Sequence, residues 1–375
     1  MKILYISDAI AIWGGLERVL VEKINYLADR YGYNIYLVTV NQGDHPVVYS
    51  LSKNVIYKDL CIQFHKQYFY KGVRKLVKRI QLKRLFVRRL DKYVKTISPD
   101  VIVSVRPELT YGIVKIKGDI PLLFESHGSR FSQAFIHTSI YSHIKVFFKN
   151  RAIEQADFVV ALTNGDAEDW RRIHSNVYVI QNLVHLNDTN SYSNCETKTI
   201  IYVGRFSGQK NIGSLLEIWK IVYQKNPDWS LHIFGGYGEE QDQILSRIKE
   251  MNANIVVNPP TSNIFEMYKK SSILLLTSRY EPFGLVLPEA MSCGIPVVAF
   301  DCPYGPADII TDGFDGFLID NYDNHKFADK VCMLISDVSL RKKMGKAGIL
   351  SSERFSADTI MPMWKKMFEM VVDNK

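Results

Sequence analysis

The sequence predicts an α/β protein made of two doubly wound, parallel-sheet domains in tandem. Its 375 residues exceed what one hydrophobic core usually organises, which favours two domains. Short β-branched apolar segments alternate with segments of helical period in both halves, as in βαβ units. A polar, Asn- and Ser-rich stretch over 183–198 interrupts this alternation and is typical of a linker. We therefore expect an N-terminal domain over 1–183, a C-terminal domain over 199–355, and a cleft between them.

The N-terminal domain opens with a strand, a glycine turn, an amphipathic helix and a second strand. Apolar residues recur at helical spacing over 16–31, between strand-like segments at 3–7 and 35–40. This βαβ unit implies a parallel sheet, because a crossover helix joins its strands. Further buried strands and a long helical region are expected in the following ranges: strands 101–105, 122–125 and 158–162, and helix around 131–156.

The same pattern restarts in the C-terminal domain. A strand at 200–203 leads through a glycine-containing loop to a helix, and a later strand ends in Gly235-Gly236-Tyr237-Gly238. The expected elements are strands 200–203, 231–234, 255–257, 273–277, 297–300 and 316–319, and helices 212–223 and 240–251. The last segment, 356–375, has apolar residues at helical spacing and is expected to form a helix that crosses back toward the N-terminal domain.

Composition excludes several classes of protein. The chain is 47% hydrophobic and 23% charged without long low-complexity runs, which is typical of a globular protein rather than a disordered or fibrous one. Five cysteines without a CxxC pair argue against a secreted disulfide framework. No run approaches the ~18 apolar residues of a spanning helix. The apolar run before Asp8 is too short for the h-region of a signal peptide, so we expect it to form a first strand instead. We expect a cytoplasmic protein whose membrane contact, if present, is peripheral.

The strongest motif is a pair of glutamates, Glu281 and Glu289, which brackets Pro282-Phe283-Gly284-Leu285 and follows a buried strand. Ligands of open α/β sheets bind at the carboxyl ends of the strands, so both carboxylates are placed to face a ligand. A carboxylate accepts charge-assisted hydrogen bonds from the paired hydroxyls of a sugar or ribose. The backbone N–H groups of Phe283, Gly284 and Leu285 stand at a helix start, which suits an anion.

The second motif is Gly204-Arg205, followed by Lys210-Asn211, between a strand and a helix. Two cations and a glycine at this place can neutralise a diphosphate without a metal. The chain contains no Asp-x-Asp triplet, which argues against a metal-bound nucleotide of that type. We expect no metal site.

Two weaker motifs lie in the N-terminal domain. Gly14 and Gly15 let the backbone approach a ligand beside a helix start, and His127 follows a buried strand that ends in Glu125. Each motif has an ordinary structural explanation: turn chemistry for the glycines, packing for the histidine, solvated loop charge for Arg205 and Lys210. Their joint occurrence, each after a strand, favours a ligand site.

Together, Gly204-Arg205, Lys210-Asn211, the spaced glutamates and Cys293-Gly294-Ile295-Pro296 resemble family 4 of the retaining glycosyltransferases, over essentially the whole chain. That family has the GT-B fold of two Rossmann-like domains. The resemblance implies that Arg205 and Lys210 hold the donor diphosphate. It also implies that Glu289 binds the ribose hydroxyls and Glu281 the donor sugar.

For the N-terminal domain, the resemblance implies that His127 contacts the donor sugar and that Gly14 and Gly15 lie against the phosphate and the acceptor. The stretch 300–316 is similar to that of bacterial enzymes that use UDP-sugars. The expected activity is metal-independent, retaining transfer of a hexose or N-acetylhexosamine from a UDP-sugar, without a further cofactor. The expected acceptor is a glycan or a lipid-linked glycan in bacterial cell-surface polysaccharide or lipopolysaccharide biosynthesis.

Three rival functions share parts of this pattern. A GT-B nucleotide-sugar epimerase has the same fold and acts on the donor alone, and a catalytically silent protein would bind the sugar nucleotide without turnover. An NAD-dependent oxidoreductase is disfavoured, because no complete G-x-G-x-x-G follows the first strand of either domain.

The net charge is concentrated in the first half of the chain. Residues 1–185 carry 27 Lys and Arg against 16 Asp and Glu, and the basic run 66–95 holds twelve cations with Asp91 as its only acid. Apolar residues are interleaved at near-helical spacing. One interpretation is a peripheral contact with anionic lipid on the inner face of the inner membrane, and the other is a solvated helical face. Nucleic-acid binding is disfavoured, because no known binding motif accompanies the charge.

Overall fold

The computed structural model describes residues 1–130 and 140–373. The chain divides into two compact units: unit 1 comprises Met1–Leu183 together with the chain from Ile360 onward, and unit 2 comprises Val184–Thr359. In the helical region expected around 131–156, Ile140–Ile153 form a helix, and residues 131–139 lie outside the described residues.

Unit 1 is built on a seven-stranded parallel sheet with the strand order β3-β2-β1-β4-β5-β6-β7. Its strands are β1 Lys2–Ser7, β2 Asn34–Thr39, β3 Val55–Asp59, β4 Val101–Ser104, β5 Leu122–Ser126, β6 Phe158–Ala161 and β7 Val177–Val179. The two edge strands of this sheet, β3 and β7, are not among the strands expected from the sequence. β3 alternates exposed positions with less exposed ones, so it lacks the continuous apolar run that marks a central strand, and β7 is only three residues long.

Helices pack on this sheet through apolar stripes. They are α1 Gly15–Tyr31, α2 Gly72–Ile97, α3 Pro107–Val114, α4 Ile140–Ile153 and α5 Asn164–Arg171. A 3₁₀ turn, Phe64–Phe69, precedes α2. Most of the basic run 66–95, whose apolar residues have near-helical spacing, thus lies in one helix of 26 residues. Among residues 1–130 and 140–373, no helix combines the length and apolarity needed to cross a bilayer.

Unit 2 is built on a six-stranded parallel sheet with the order β10-β9-β8-β11-β12-β13. Its strands are β8 Thr199–Gly204, β9 Ser230–Gly235, β10 Ile255–Asn258, β11 Ile273–Leu276, β12 Val297–Phe300 and β13 Gly316–Ile319. Its helices are α6 Ile212–Lys225, α7 Gln241–Met251, α8 Ile264–Lys269, α9 Val286–Ser292, α10 Gly305–Ile309, α11 Asn324–Ser336 and α12 Val338–Ser352. The strand order reverses beside β8, which lies between β9 and β11, and open sheets bind ligands at such a switch point.

The polar segment that reads as a linker is tied to unit 2 from Val184 onward. Asn187 N donates to Ser292 Oγ at 3.0 Å, and Ser193 Oγ donates to Ser271 O at 2.6 Å. Cys195 is buried, and its carbonyl accepts from Arg341 Nε at 2.9 Å. Its polar composition therefore reflects bonds between side chains and the main chain of unit 2, rather than a solvated connection.

The last helix, α13 (Ala357–Asp373), contributes its apolar stripe to unit 1 from Ile360 onward. Trp364 and Phe368 are buried and stack on each other with ring centroids 5.6 Å apart. Phe368 also meets Tyr5 of β1 edge to face at 6.5 Å. The sequence and the structure thus agree that this segment is an amphipathic helix.

Candidate functional site

Two glycines hold the loops after β8 and β9 together in unit 2. A Cβ on Gly235 would lie 2.2 Å from Gly204 O, and a Cβ on Gly238 would lie 2.1 Å from Phe206 O. Both glycines have positive φ, +130° and +144°, which side-chain-bearing residues rarely adopt. Phe206 N also donates to Tyr237 O at 2.8 Å. The backbone after β8 is therefore fixed at the carboxyl edge of the sheet.

Lys210 and Glu281 meet at this edge although they are far apart in the sequence. Lys210 Nζ lies 2.5 Å from Glu281 Oε1, and their side chains are 18% and 6% exposed. Ser278 Oγ donates to the same carboxylate oxygen at 2.6 Å. Gln209 Nε2 donates to Tyr280 O at 3.1 Å. The two strongest sequence motifs therefore form one polar cluster, with a cation and an anion in direct contact.

The main chain around Glu281 is clamped by the segment that follows β12. Glu281 N donates to Pro303 O at 2.7 Å, and Gly305 N donates to Glu281 O at 2.9 Å. A Cβ on Gly305 would lie 1.7 Å from Phe283 O, so only glycine fits between the two segments. This clamp fixes the direction of the Glu281 side chain before a ligand arrives.

Glu289 lies on α9 and is buried, 3% exposed. Its Oε2 accepts a hydrogen bond from Tyr268 OH at 3.1 Å. Ahead of it, Gly284 has a φ of +99°, and Leu287 N donates to Gly284 O at 3.0 Å as the helix begins. The Phe283 ring is buried against Phe355, 5.5 Å between centroids. Anion binding by the N–H groups of Phe283, Gly284 and Leu285 stays a prediction.

Arg205 is the exposed cation of the cluster. Burial and the carboxylates of Glu281 and Glu239 raise the pKa of the Tyr280 phenol, and the Arg205 charge opposes this rise. Arg205 is therefore within electrostatic reach of the Tyr280–Glu281 turn. In the described parts of the chain it forms no ion pair, unlike Lys210. An exposed guanidinium at this place can take two oxygens of an anion.

In unit 1, Gly14 caps α1 and Gly15 is its first residue. A Cβ on Gly14 would lie 2.2 Å from Glu17 Oε2, so this glycine makes room for a buried carboxylate. Glu17 pairs with Arg106 at 3.1 Å. A carboxylate in the first turn already satisfies the partial positive charge of the helix start. This reduces the attraction of the helix start for the phosphate that the resemblance placed at Gly15.

His127 belongs to a buried charge cluster at the carboxyl end of β5. Lys23 of α1 and Glu125 form an ion pair with both side chains 1% exposed, and His127 Nε2 lies 3.0 Å from Glu125 Oε1. The Trp364 ring covers Lys23, 4.0 Å from Nζ. The imidazole is only 3% exposed, and its Nε2 is close to the Glu125 carboxylate. Its contact with a donor sugar stays a prediction.

Opposing electrostatic effects act on Glu125. Burial alone would raise the pKa of its carboxyl, but the charge of Lys23, together with that of His127 and their hydrogen bonds, lowers this pKa to about 2. The carboxylate is therefore ionised at neutral pH and well into the acidic range. Glu125 therefore places a permanent negative charge 3.0 Å from His127 Nε2.

Sequence reasoning missed Lys23, Glu17 and Arg106. One signal was available: Lys23 interrupts the apolar stripe of α1, where Leu20, Ile24 and Leu27 are buried. A lysine on a core-facing stripe needs a buried anion, and Glu125 at the end of a fully buried strand supplies it. Within residues 1–130 and 140–373 no group of His, Cys, Asp and Glu forms a metal site, and metal independence stays a prediction from the sequence.

Two protein families match this chain, and their boundary at residue 188 lies close to the boundary between units 1 and 2. Residues 13–188 match the family described as "Glycosyltransferase Family 4", and residues 188–350 match "Glycosyl transferases group 1". The chain is 30% identical to the amylovoran biosynthesis glycosyltransferase AmsD of Erwinia amylovora, over 97% of this chain and 98% of AmsD. It is 26% identical to the lipopolysaccharide 1,6-galactosyltransferase of Escherichia coli K12, over 85% of this chain and 84% of that protein.

The fold is shared with solved structures. TarM of S. aureus, determined in complex with fondaparinux, α-GlcNAc-glycerol and UDP, superposes with a TM-score of 0.77 over 98% of this chain and 99% of TarM. The identity between the two is 17%, so this likeness concerns the fold alone.

Proposed function

We propose that this chain, which belongs to the family 4 glycosyltransferases, transfers a hexose or N-acetylhexosamine from a UDP-sugar held by unit 2 to an acceptor held by unit 1. The GT-B fold expected from the sequence is confirmed. The donor assignment is carried by the contact between Lys210 and Glu281, with Arg205 exposed beside it. This cluster offers cations for a diphosphate and a carboxylate for sugar hydroxyls at one place.

Donor binding would redistribute these contacts. Without the donor, Lys210 Nζ contacts Glu281 Oε1. When the donor binds, Lys210 Nζ donates to a diphosphate oxygen instead, and the Glu281 carboxylate accepts hydrogen bonds from the sugar hydroxyls. Arg205 takes further phosphate oxygens. Glu289, buried and oriented by Tyr268, accepts from the ribose hydroxyls. The main chain of these loops is already fixed by the clamps described above, so the changes on binding are confined to side-chain contacts.

The reaction gains most from stabilising the leaving group. As the bond between the sugar and UDP breaks, negative charge builds on the diphosphate, where Arg205 and Lys210 are placed to meet it. In a retaining transfer the acceptor attacks from the side that the nucleotide leaves. Glu281, which accepts a hydrogen bond from Ser278, serves as an acceptor for sugar hydroxyls, and neither glutamate is a covalent nucleophile in this proposal.

The biological setting is proposed from the relatives. AmsD is named for amylovoran biosynthesis, the E. coli relative is a lipopolysaccharide galactosyltransferase, and the TarM structure contains UDP. These names support a UDP-sugar donor, a glycan or lipid-linked acceptor, and a role in bacterial cell-surface polysaccharide or lipopolysaccharide biosynthesis. We further propose that the enzyme works without metal or cofactor in the cytoplasm, in peripheral contact with the inner face of the inner membrane.

Calorimetric titration with UDP, ADP, GDP and NAD, all in EDTA, tests the nucleotide class and the metal independence together. We expect binding that is selective for UDP and unchanged by EDTA. Binding of NAD alone, or of none of the four nucleotides, would overturn the proposal.

The Glu289→Gln variant is expected to raise the Kd for UDP about tenfold. The substitution keeps an acceptor for Tyr268 OH but removes the charge that strengthens hydrogen bonds from ribose, worth about 1.5 kcal/mol or more. The same calorimetry measures it, with Glu217→Gln on the exposed face of α6 as the matched control. An unchanged Kd for UDP in the Glu289 variant would remove Glu289 from the ribose site.

A further inference from the structure

The N-terminal half of α2 stands clear of the core of unit 1. The buried side chains of this helix all lie at or after Leu82; they are Leu82, Phe86, Leu90, Val94 and Ile97. Between Gly72 and Gln81 no side chain is buried, and the preceding 3₁₀ turn, Phe64–Phe69, has none either. Core packing therefore does not explain the apolar side chains of this segment.

Four of those side chains form one exposed stripe. Val73, Leu76, Val77 and Ile80 are 77%, 55%, 47% and 43% exposed. At 3.6 residues per turn they fall within an arc of about 100°, centred about 110° away from the stripe that packs on the core. The two stripes adjoin at Leu76, which lies in line with Val94, while Val73, Val77 and Ile80 point about 100° or more away from the centre of the core-facing stripe. Three exposed aromatic residues, Tyr68, Phe69 and Tyr70, extend it at the helix start.

The stripe is surrounded by positive charge. Between Asp59 and Asp91 the chain has no acidic residue, and it carries ten Lys and Arg there. Arg74 and Arg79 project about 100° to either side of the stripe, by the same helical geometry. Lys75 Nζ lies 4.6 Å from the centre of the Tyr68 ring, which fixes the 3₁₀ turn against α2. An apolar stripe with cationic flanks matches the interface of an anionic bilayer, with acyl chains below and phosphates beside.

We infer that residues 68–80 form a docking surface for an anionic lipid bilayer, with the stripe inserted among the acyl chains and the flanking cations at the lipid phosphates. This surface is narrower than the basic run 66–95, because from Leu82 onward α2 packs on the core. A nucleic acid would bind the cations but would leave the apolar stripe exposed to water. A lipid bilayer binds the cations through its phosphates and also buries the apolar stripe among its acyl chains.

The position of this surface in unit 1 deepens the proposed function and rests on it. The carboxyl-terminal end of α2 leads into β4 at the amino edge of the sheet, so its amino-terminal end points toward the carboxyl edge. With 26 residues the helix is about 39 Å long, against about 13 Å for the four residues of β4. The docking surface therefore projects past the edge that carries Gly14, Gly15 and His127. An acceptor anchored in the bilayer would be presented at that edge.

Co-sedimentation of the full chain with phosphatidylglycerol vesicles and with phosphatidylcholine vesicles tests the inference. We expect binding to the anionic vesicles and at least about tenfold weaker binding to the neutral ones. The Val73→Ser/Val77→Ser/Ile80→Ser variant and the Arg74→Gln/Lys78→Gln variant should each weaken binding at least about tenfold, since each cation near the surface contributes roughly fivefold. The matched controls, Leu350→Ser/Met333→Ser and Lys343→Gln/Lys346→Gln, alter exposed positions of unit 2 and should bind as wild type does.

Equal binding to both kinds of vesicle, no binding to either, or wild-type binding by the triple serine variant would each overturn the docking surface. So would a dimer in solution that the serine variant dissociates, because a second copy would then be the occupant. Vesicle binding needs neither donor nor acceptor. A failure of this inference with UDP binding intact is therefore distinguishable from a failure of the proposed sugar transfer, although it would also remove the proposed membrane contact.

Discussion

Replacing Lys210 by alanine is expected to lower kcat by about 10²- to 10³-fold, the loss typical of removing a preorganised group that stabilises charge in the transition state. Lys210 is the one cation of the polar cluster that already contacts Glu281, at 2.5 Å, and it is largely shielded from water. Its charge therefore acts on the departing diphosphate with little screening. Turnover is measured as UDP release at saturating donor, and Kd for UDP by calorimetry.

The matched control is Lys225→Ala, which removes an exposed lysine paired with Asp329 on the surface of the same unit. It should leave kcat unchanged. Glu281 keeps its hydrogen bond from Ser278 in the Lys210 variant, so unfolding in urea should show a folded protein. A folded Lys210→Ala variant with near-wild-type kcat would contradict the role assigned to Lys210.

Glu125→Gln is expected to lower the free energy of unfolding by about 3–5 kcal/mol, because it leaves the Lys23 ammonium buried without an anion. Urea unfolding measures the effect. The Lys23→Met/Glu125→Gln double variant should recover much of the loss, since it removes the unpaired charge while keeping the volume of the side chains. A small effect of the single variant, or an equal loss in both, would mean that the two charges are not coupled as the structure shows.

The same pair gives the protein a defined sensitivity to acid. The Glu125 pKa is lowered from its ordinary value of 4.5 to about 2 in the folded chain. Its stabilising contribution is therefore complete above about pH 4.5 and is lost as the pH falls from there toward 2. The unfolding free energy of the wild type should fall more steeply across this window than that of the Lys23→Met/Glu125→Gln variant. Parallel curves would contradict the lowered pKa.

The strands that the sequence predicts well are those with unbroken apolar runs, including the edge strands β10 and β13. β1, β4 and β11 read as unbroken apolar runs because helices cover both sides of a parallel sheet. β3 escaped prediction because its composition is mixed and exposed positions alternate with less exposed ones, and β7 because it is only three residues long. The stretch from Val184 to Lys198 read as a linker because its bonds join side chains to distant main-chain atoms, which periodicity does not register.

Some residues of the candidate site could be identified from the sequence and others could not. The loops after β8 and β11 were identifiable because glycines, cations and glutamates sit directly after buried strands, and the structure joins Lys210 to Glu281. The pairing of Lys23 with Glu125 was not evident from either local motif, because the two residues are 102 positions apart and meet only in the folded unit. His127 shares Glu125 with that buried lysine.

The most direct test of the central claim is ¹H NMR of the purified protein in EDTA with UDP-glucose, UDP-galactose and their N-acetylhexosamine counterparts, with water as the acceptor. We predict UDP release from one of these α-linked donors and first appearance of the free sugar as its α-anomer, with Lys210→Ala as the blank. Release of the β-anomer first, formation of an epimerised sugar, or no UDP release from any donor would contradict retaining transfer from a UDP-sugar.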